Sequence, residues 1–173
     1  QVGEVEHALD AVDLALARAQ AVGEPVDHLV RRTRAHLHAH DVTEPAFAHH
    51  PAATLPVKQW PNAELHLIAG SGWGLQAPVK TFSPMFYAAV TARGAAQFEL
   101  PPEHAERAIY VVDGDVNVGG TIIAPQTVAI FEPGAAVTVN TNSAARIMAF
   151  GGAAMDGDRF ISWNFVASSR ELI

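Results

Sequence analysis

The stretch that most constrains this chain runs from Glu106 to Gly120 and reads ERAIYVVDGDVNVGG. Apolar β-formers fill Ala108 to Val112, Asp113-Gly114 supplies a tight turn, and Val116 and Val118 alternate along a second short strand. Gly119-Gly120 then turns the chain again before Thr121-Ile122-Ile123. Taken alone, the stretch reads as a hairpin inside a β-barrel.

The sequence around it repeats the pattern. Strand candidates follow one another at Leu65–Ala69, Met85–Thr91, Ala95–Leu100, Ala108–Val112, Asp115–Val118, Thr121–Ile123, Thr127–Phe131, Ala136–Asn140, Ala145–Phe150 and Phe160–Val166. Turn signals separate most of them, among them Gly70-Ser71-Gly72, Ser83-Pro84, Pro101-Pro102, Pro133-Gly134 and Gly151-Gly152. Short strands at roughly 8–12-residue spacing, with no long helix between them, indicate an antiparallel sandwich or barrel, and a jelly roll fits best.

Residues 1–43 have another character. Val5, Ala8, Leu9, Val12, Leu16 and Ala19 recur near the helical period, Gly23 is a plausible stop, and Leu29, Val30 and Leu37 mark a second helical pattern toward His40. The expected organisation is a helical segment over 1–43 and a β-domain over 44–173. Pro45, Pro51, Pro56 and Pro61 read as an extended linker between them.

Charge and composition exclude several function classes. The formal charge is −7, so no overall positive field draws the chain to nucleic acid or an anionic membrane, and Arg31, Arg32 and Arg34 read as a solvated helix face. Cysteine is absent, which removes disulfides, thiolate metal sites and a cysteine nucleophile. No run approaches the roughly 20 apolar residues that span a bilayer, and Glu4 and Glu6 stand where a signal peptide carries positive charge. A cytoplasmic protein is expected.

Candidate chemistry is sparse. His36 and His40 fall at i and i+4 on the second helical pattern, the spacing that lets two imidazoles meet one metal, and His49 and His50 follow in the linker. No carboxylate accompanies them at a motif spacing such as H-E-x-x-H, so these four are weak metal candidates. There is no nucleophile elbow and no Walker loop, and Gly70-Ser71-Gly72-Trp73-Gly74 reads as a flexible turn rather than a dinucleotide fingerprint. Asp113 and Asp115 are explained by turn propensity. In a strand over Phe160–Val166, Trp163 and Phe165 would share one face, plugging the barrel or lining its mouth as ligand contacts.

With these pieces in view a resemblance emerges. YVVDGDVNVGG, the Glu132-Pro133-Gly134 turn, ARIMAFGG at Ala145–Gly152 and DRFISWNFVASSRELI at Asp158–Ile173 resemble the C-terminal cupin barrel of the pirin family. The similarity extends upstream through AGSGWGLQAPVKTFSPMFYAAV and covers about Glu44 to Ile173. The resemblance implies a bicupin ancestry in which iron sits in the N-terminal barrel on histidines and a glutamate. It also implies an association with quercetinase-type dioxygenation and with transcriptional co-regulation. An eight-stranded barrel needs roughly 64–96 residues at the usual strand spacing, and 43 precede the matching region, so the metal-bearing barrel is expected to be absent from this chain. A piece of a longer pirin would read the same way.

For the remaining barrel, the resemblance gives the places where metal-binding cupins carry ligands. Aligned on Tyr110, the glutamate position falls at Arg107, the paired histidines near Pro101 and Glu103, and the last histidine among Ala135, Ala136 and Val137. Arginine, proline and aliphatic side chains do not coordinate iron or zinc. His104 and Glu106 lie nearby and read as a loop histidine beside an exposed carboxylate. No catalytic residue, cofactor or barrel metal is expected. The favoured function is a metal-free, non-catalytic binding module, and the alternative is an iron-dependent dioxygenase with ligands from the His-rich segment or a partner chain. The barrel face that packs on a second barrel in the family should be covered by the helical segment, a second copy or a protein partner.

Overall fold

Strand after strand in this chain buries every second residue against one shared interior. The computed structural model describes residues 47–154, 157–163 and 165–173; the helical reading of 1–43, with His36 and His40, lies outside them. The chain divides into two compact units, Ala53–Ala154 and a second made of Gln1–Ala52 with Met155–Ile173.

The larger unit is built from β1 (Val57–Trp60), β2 (Ala63–Gly72), β3 (Leu75–Gln76), β4 (Met85–Arg93), β5 (Ala96–Glu99), β6 (Glu106–Asp113), β7 (Val116–Val118), β8 (Thr121–Ile123), β9 (Thr127–Phe131), β10 (Thr138–Thr141) and β11 (Ala144–Gly152). One sheet runs β1-β2-β4-β11-β6-β9 with β3 paired to the end of β2, and the other runs β5-β10-β7-β8. Every pairing is antiparallel. This is the expected mainly-β jelly roll.

The interior follows from period-two alternation. Leu65 and Leu67 of β2, Phe86, Ala88 and Val90 of β4, Ile109 and Val111 of β6, Ala145, Ile147 and Ala149 of β11, and Val137 and Val139 around β10 form one buried cluster. Each large apolar side chain in it contributes about 1.5–3 kcal/mol through lost water contact. The cluster fills the space between the sheets.

Three local readings are corrected. The chain does turn at Asp113-Gly114, but β6 and β7 are not partners: β6 pairs with β11 and β9, and β7 with β10 and β8. The turn carries the chain from one sheet to the other, while the true hairpin is β7–β8 around Gly119-Gly120. The extended linker contains a strand, because β1 pairs along its whole length with β2. Pro56 and Pro61 flank it, as suits an edge strand whose outer amides need no partner. Finally, Gly70–Gly74 is not one flexible turn: β2 continues through Gly72, and Trp73-Gly74 alone, with φ of 55° and 77°, folds β3 back onto it.

In the smaller unit, β12 (Phe160–Ser162) and β13 (Phe165–Ala167) form a hairpin where a single strand was expected. Trp163 takes φ 54°, a left-handed conformation foreign to strands, so the chain reverses there. Trp163 is 82% exposed. It does not share a strand with Phe165, which opens β13. Arg170 lies over the Phe160 ring, 4.9 Å from its centroid.

The crossing at Gly114 yields a test. Its φ is 77°, and a Cβ there would stand 2.4 Å from the Ala144 carbonyl oxygen and 2.8 Å from the Ala145 Cα. Gly120, at φ 87°, faces open space. Gly114→Ala is expected to cost about 2 kcal/mol or more in urea unfolding, and Gly120→Ala about half as much.

Candidate functional site

Strand directions gather one end of the barrel into a mouth. The ends of β2, β9 and β11 and the starts of β4 and β6 meet there, since Gly152 pairs with Met85 and Glu106, Gly70 with Phe86, and Arg107 with Phe131. The β5–β6 and β9–β10 connections close over it. All the ligand positions implied by alignment on Tyr110 fall at this end.

Arg107 is the side chain that dominates the mouth. Its position on β6, two and four residues before Ile109 and Val111, puts it on the inward face with those core residues. It is 2% exposed. Its Nη2 donates a 2.6 Å hydrogen bond to the Ala135 carbonyl oxygen, while its Nε is enclosed without a hydrogen-bond partner. Gly151 makes the room, since a Cβ there would fall 2.7 Å from the Phe86 ring and 3.0 Å from the Arg107 Cα. A guanidinium therefore occupies the neighbourhood where a metal cupin places its glutamate, and ties the strand to the loop that would carry the last histidine.

His104 is the second buried polar group at this end. It is 5% exposed, its Nε2 lies 2.7 Å from the Ser71 carbonyl oxygen, and its ring sits 5.0 Å from that of Phe86. A carbonyl oxygen only accepts, so Nε2 carries the proton and offers no lone pair to a metal. The reading of His104 as a loop histidine beside a carboxylate is corrected in one respect: the side chain is inside, and Glu106 faces out. Trp73 meets Phe86 edge-on at 5.3 Å and donates from Nε1 to the Glu99 carbonyl oxygen at 2.6 Å. The mouth is packed with rings.

The other positions offer no donor set. Pro101 is buried against Gly72, whose added Cβ would come within 3.2 Å of the proline ring. Glu103, Ala135 and Ala136 are exposed, and Val137 is buried in the core. Among the described residues, no three His, Asp or Glu side chains come together in a way that could hold a metal ion. Among the described residues, those at the aligned positions do not fit the family's iron.

Away from the mouth, His49 is exposed and His50 half-buried. His66, which the sequence did not single out, stands 2.9 Å from Glu64 on β2. Hydrogen bonds from His66 and then Gln59 hold the Glu64 carboxyl below its ordinary range. Asp113 accepts a 2.7 Å hydrogen bond from Arg146 Nε, so this turn aspartate is also an ion-pair partner. The buried state of Arg107 was likewise not legible as such; its inward position follows only once Ile109 and Val111 are known to face the core.

Replacing Arg107 should separate charge from shape. Arg107→Met keeps a long apolar stem and leaves Ala135 O to water at an exposed loop, so stability should stay within about 1 kcal/mol of the parent or rise. Arg107→Ala leaves a void and should cost about 2 kcal/mol or more. Thermal and urea unfolding of the two variants check the difference.

Comparison with known proteins agrees with this architecture. The model of the pirin C-terminal cupin domain matches residues 87–173. A pirin-like protein of Caulobacter vibrioides is 36% identical over 131 residues, 75% of this chain and 45% of its own length. Pirin-1 of Arabidopsis thaliana is 28% identical over 114 residues, 63% of this chain and 40% of its own. Among solved structures, a quercetin 2,3-dioxygenase from Acinetobacter baumannii superimposes with a TM-score of 0.66 at 23% identity, covering 75% of this chain and 43% of that one. That likeness shows the cupin fold. The chain thus spans less than half the length of the relatives it matches. The match of the pirin C-terminal cupin domain over residues 87–173, with a pirin-like relative 36% identical over 75% of the chain, places this chain in the pirin family.

Proposed function

We propose that this chain is a pirin-like cupin module that binds rather than catalyses, with no iron site in its barrel. The observation that carries the reading is the Arg107 guanidinium on the inward face, bonded to Ala135 O where a metal cupin needs a carboxylate and a histidine. A fixed positive charge repels a cation, and its neighbours Pro101 and Val137 supply no lone pair. The competing reading, an iron-dependent dioxygenase of the quercetinase type, draws on the spacing of His36 and His40 and on ligands from a partner chain.

A binding role has a surface to work with. On the outer face of the large sheet, Tyr87, Phe150, Ala108 and Ile130 stand opposite one another across β4, β11, β6 and β9, and Ala89, Met148, Tyr110 and Val128 form the next row. Tyr87, Ala108 and Met148 are buried, Phe150, Tyr110 and Val128 half-buried, and Ile130 is 53% exposed. Ile130, on the uncharged edge strand β9, is the most exposed of them. A second copy of the chain, or a protein partner, would cover the Ile130 end of this face in the reading proposed here.

Two measurements test the proposal. Protein purified without an affinity tag should contain only background iron and zinc by mass spectrometry, unchanged in a His36→Ala/His40→Ala variant. Stoichiometric iron that disappears in that variant would establish the dioxygenase reading instead. Sedimentation of the full chain should give the mass of a dimer that Ile130→Glu shifts toward monomer; a parent chain that is monomeric at every concentration argues against self-association.

A further inference from the structure

We propose that Arg107 is the charged end of an anion site at the barrel mouth, and that its ligand is a small organic carboxylate with an apolar body. The inference rests on the metal-free reading above and assigns that barrel a ligand class.

The first ground is an unbalanced charge. A guanidinium keeps its proton at any pH a folded protein meets, and enclosing it without an anion is unfavourable. Arg107 is 2% exposed and on the same face as Ile109 and Val111. Among the described residues, the ion pairs are Glu64–His66 and Asp113–Arg146, and neither involves it. Its hydrogen bond goes to a neutral peptide oxygen.

The second ground is geometry. The Nε–H and one Nη2–H of a guanidinium point the same way and together match the two oxygens of a carboxylate. In Arg107, Nη2 donates to Ala135 O and Nε has no partner. Ala135 sits in an exposed turn from Glu132 to Ala136, where Ala135 N–H donates to Glu132 O and Gly134 takes φ 77°. Its carbonyl can turn to water when a carboxylate takes both arms.

Ligand class follows from the walls. Phe131 stands beside Arg107 across the β6–β9 pairing, Phe86 approaches from the Gly151 side, and Pro101 and Val137 are buried at the same end. His104, the other buried donor, has its Nε2 proton on Ser71 O. A phosphate would bring more oxygens than this setting has N–H groups to satisfy, whereas a carboxylate on a ring or short alkyl chain needs only the fork.

Benzoate is the probe, titrated calorimetrically into the untagged full chain alongside inorganic phosphate. The expected result is saturable one-to-one binding of benzoate, weakened roughly tenfold or more in Arg107→Met and partly restored in Arg107→Lys, with phosphate giving no saturation. Equal affinity in parent and Arg107→Met, no saturable benzoate binding, or preference for phosphate would overturn the assignment. Should Arg107→Met fail to fold, benzoate shifts in the parent NMR spectrum decide: changes at the Arg107 Nε–H and residues 131–137 support the site, and changes elsewhere sink it. Metal analysis on the same sample keeps the two ideas apart. A metal-free barrel that ignores benzoate loses only the anion site, whereas iron at the mouth removes the metal-free reading beneath it.

Discussion

One buried cation sets the chemistry of this barrel. Along β6 the inward positions are Arg107, Ile109 and Val111, and only the first sits at an open end where a connecting loop can reach it. Had the charge fallen at Ile109, nothing could satisfy it; at the mouth it finds the Ala135 carbonyl and ties β6 to the β9–β10 connection. The same bond holds the β9–β10 connection at the mouth, the end at which the aligned positions fall.

The mouth is held by aromatic packing and hydrogen bonds to backbone oxygens rather than by ion pairs. Phe86 contacts both Trp73 and His104, and each of those donates to a carbonyl near the end of a different strand, Glu99 of β5 and Ser71 of β2. Such bonds between neutral groups contribute about 1 kcal/mol each. Their value lies in fixing these strand ends around one ring. Glycines at 72 and 151 permit the approach, because side chains there would strike Pro101 in one case and Phe86 with the Arg107 backbone in the other.

The large sheet is unusual in being apolar on both faces at one end only. Toward the mouth its outer rows are Tyr87, Phe150, Ala108 and Ile130, then Ala89, Met148, Tyr110 and Val128; toward the opposite end Glu64, Thr91, Arg146 and Asp113 take over. A strand that is buried on both faces loses the polar-apolar alternation that marks a solvated sheet. This explains why YVV and IMAF read as continuous hydrophobic runs, and it links the sheet's composition to an outer face that is covered at Tyr87 and Met148 and open at Ile130.

How much of this was legible beforehand depends on whether the signal is local. Strand positions from Leu65 to Phe150 were readable because alternation and turn residues are properties of a few neighbouring residues, and the family resemblance fixed the cupin barrel. The partner of each strand was not. Asp113-Gly114 has hairpin chemistry yet crosses between sheets, because β6 gains more by lying between β11 and β9 than by folding onto a three-residue strand. Trp163 has strand-forming neighbours yet reverses the chain. That Arg107, Pro101, Ala135, Ala136 and Val137 are residue types without a metal-binding lone pair is a property of the side chains themselves and was readable in the sequence. Only the tertiary structure decided that Arg107 is enclosed with its Nε unpartnered, because burial and hydrogen-bond partners arise from segments 28 residues apart meeting at one mouth.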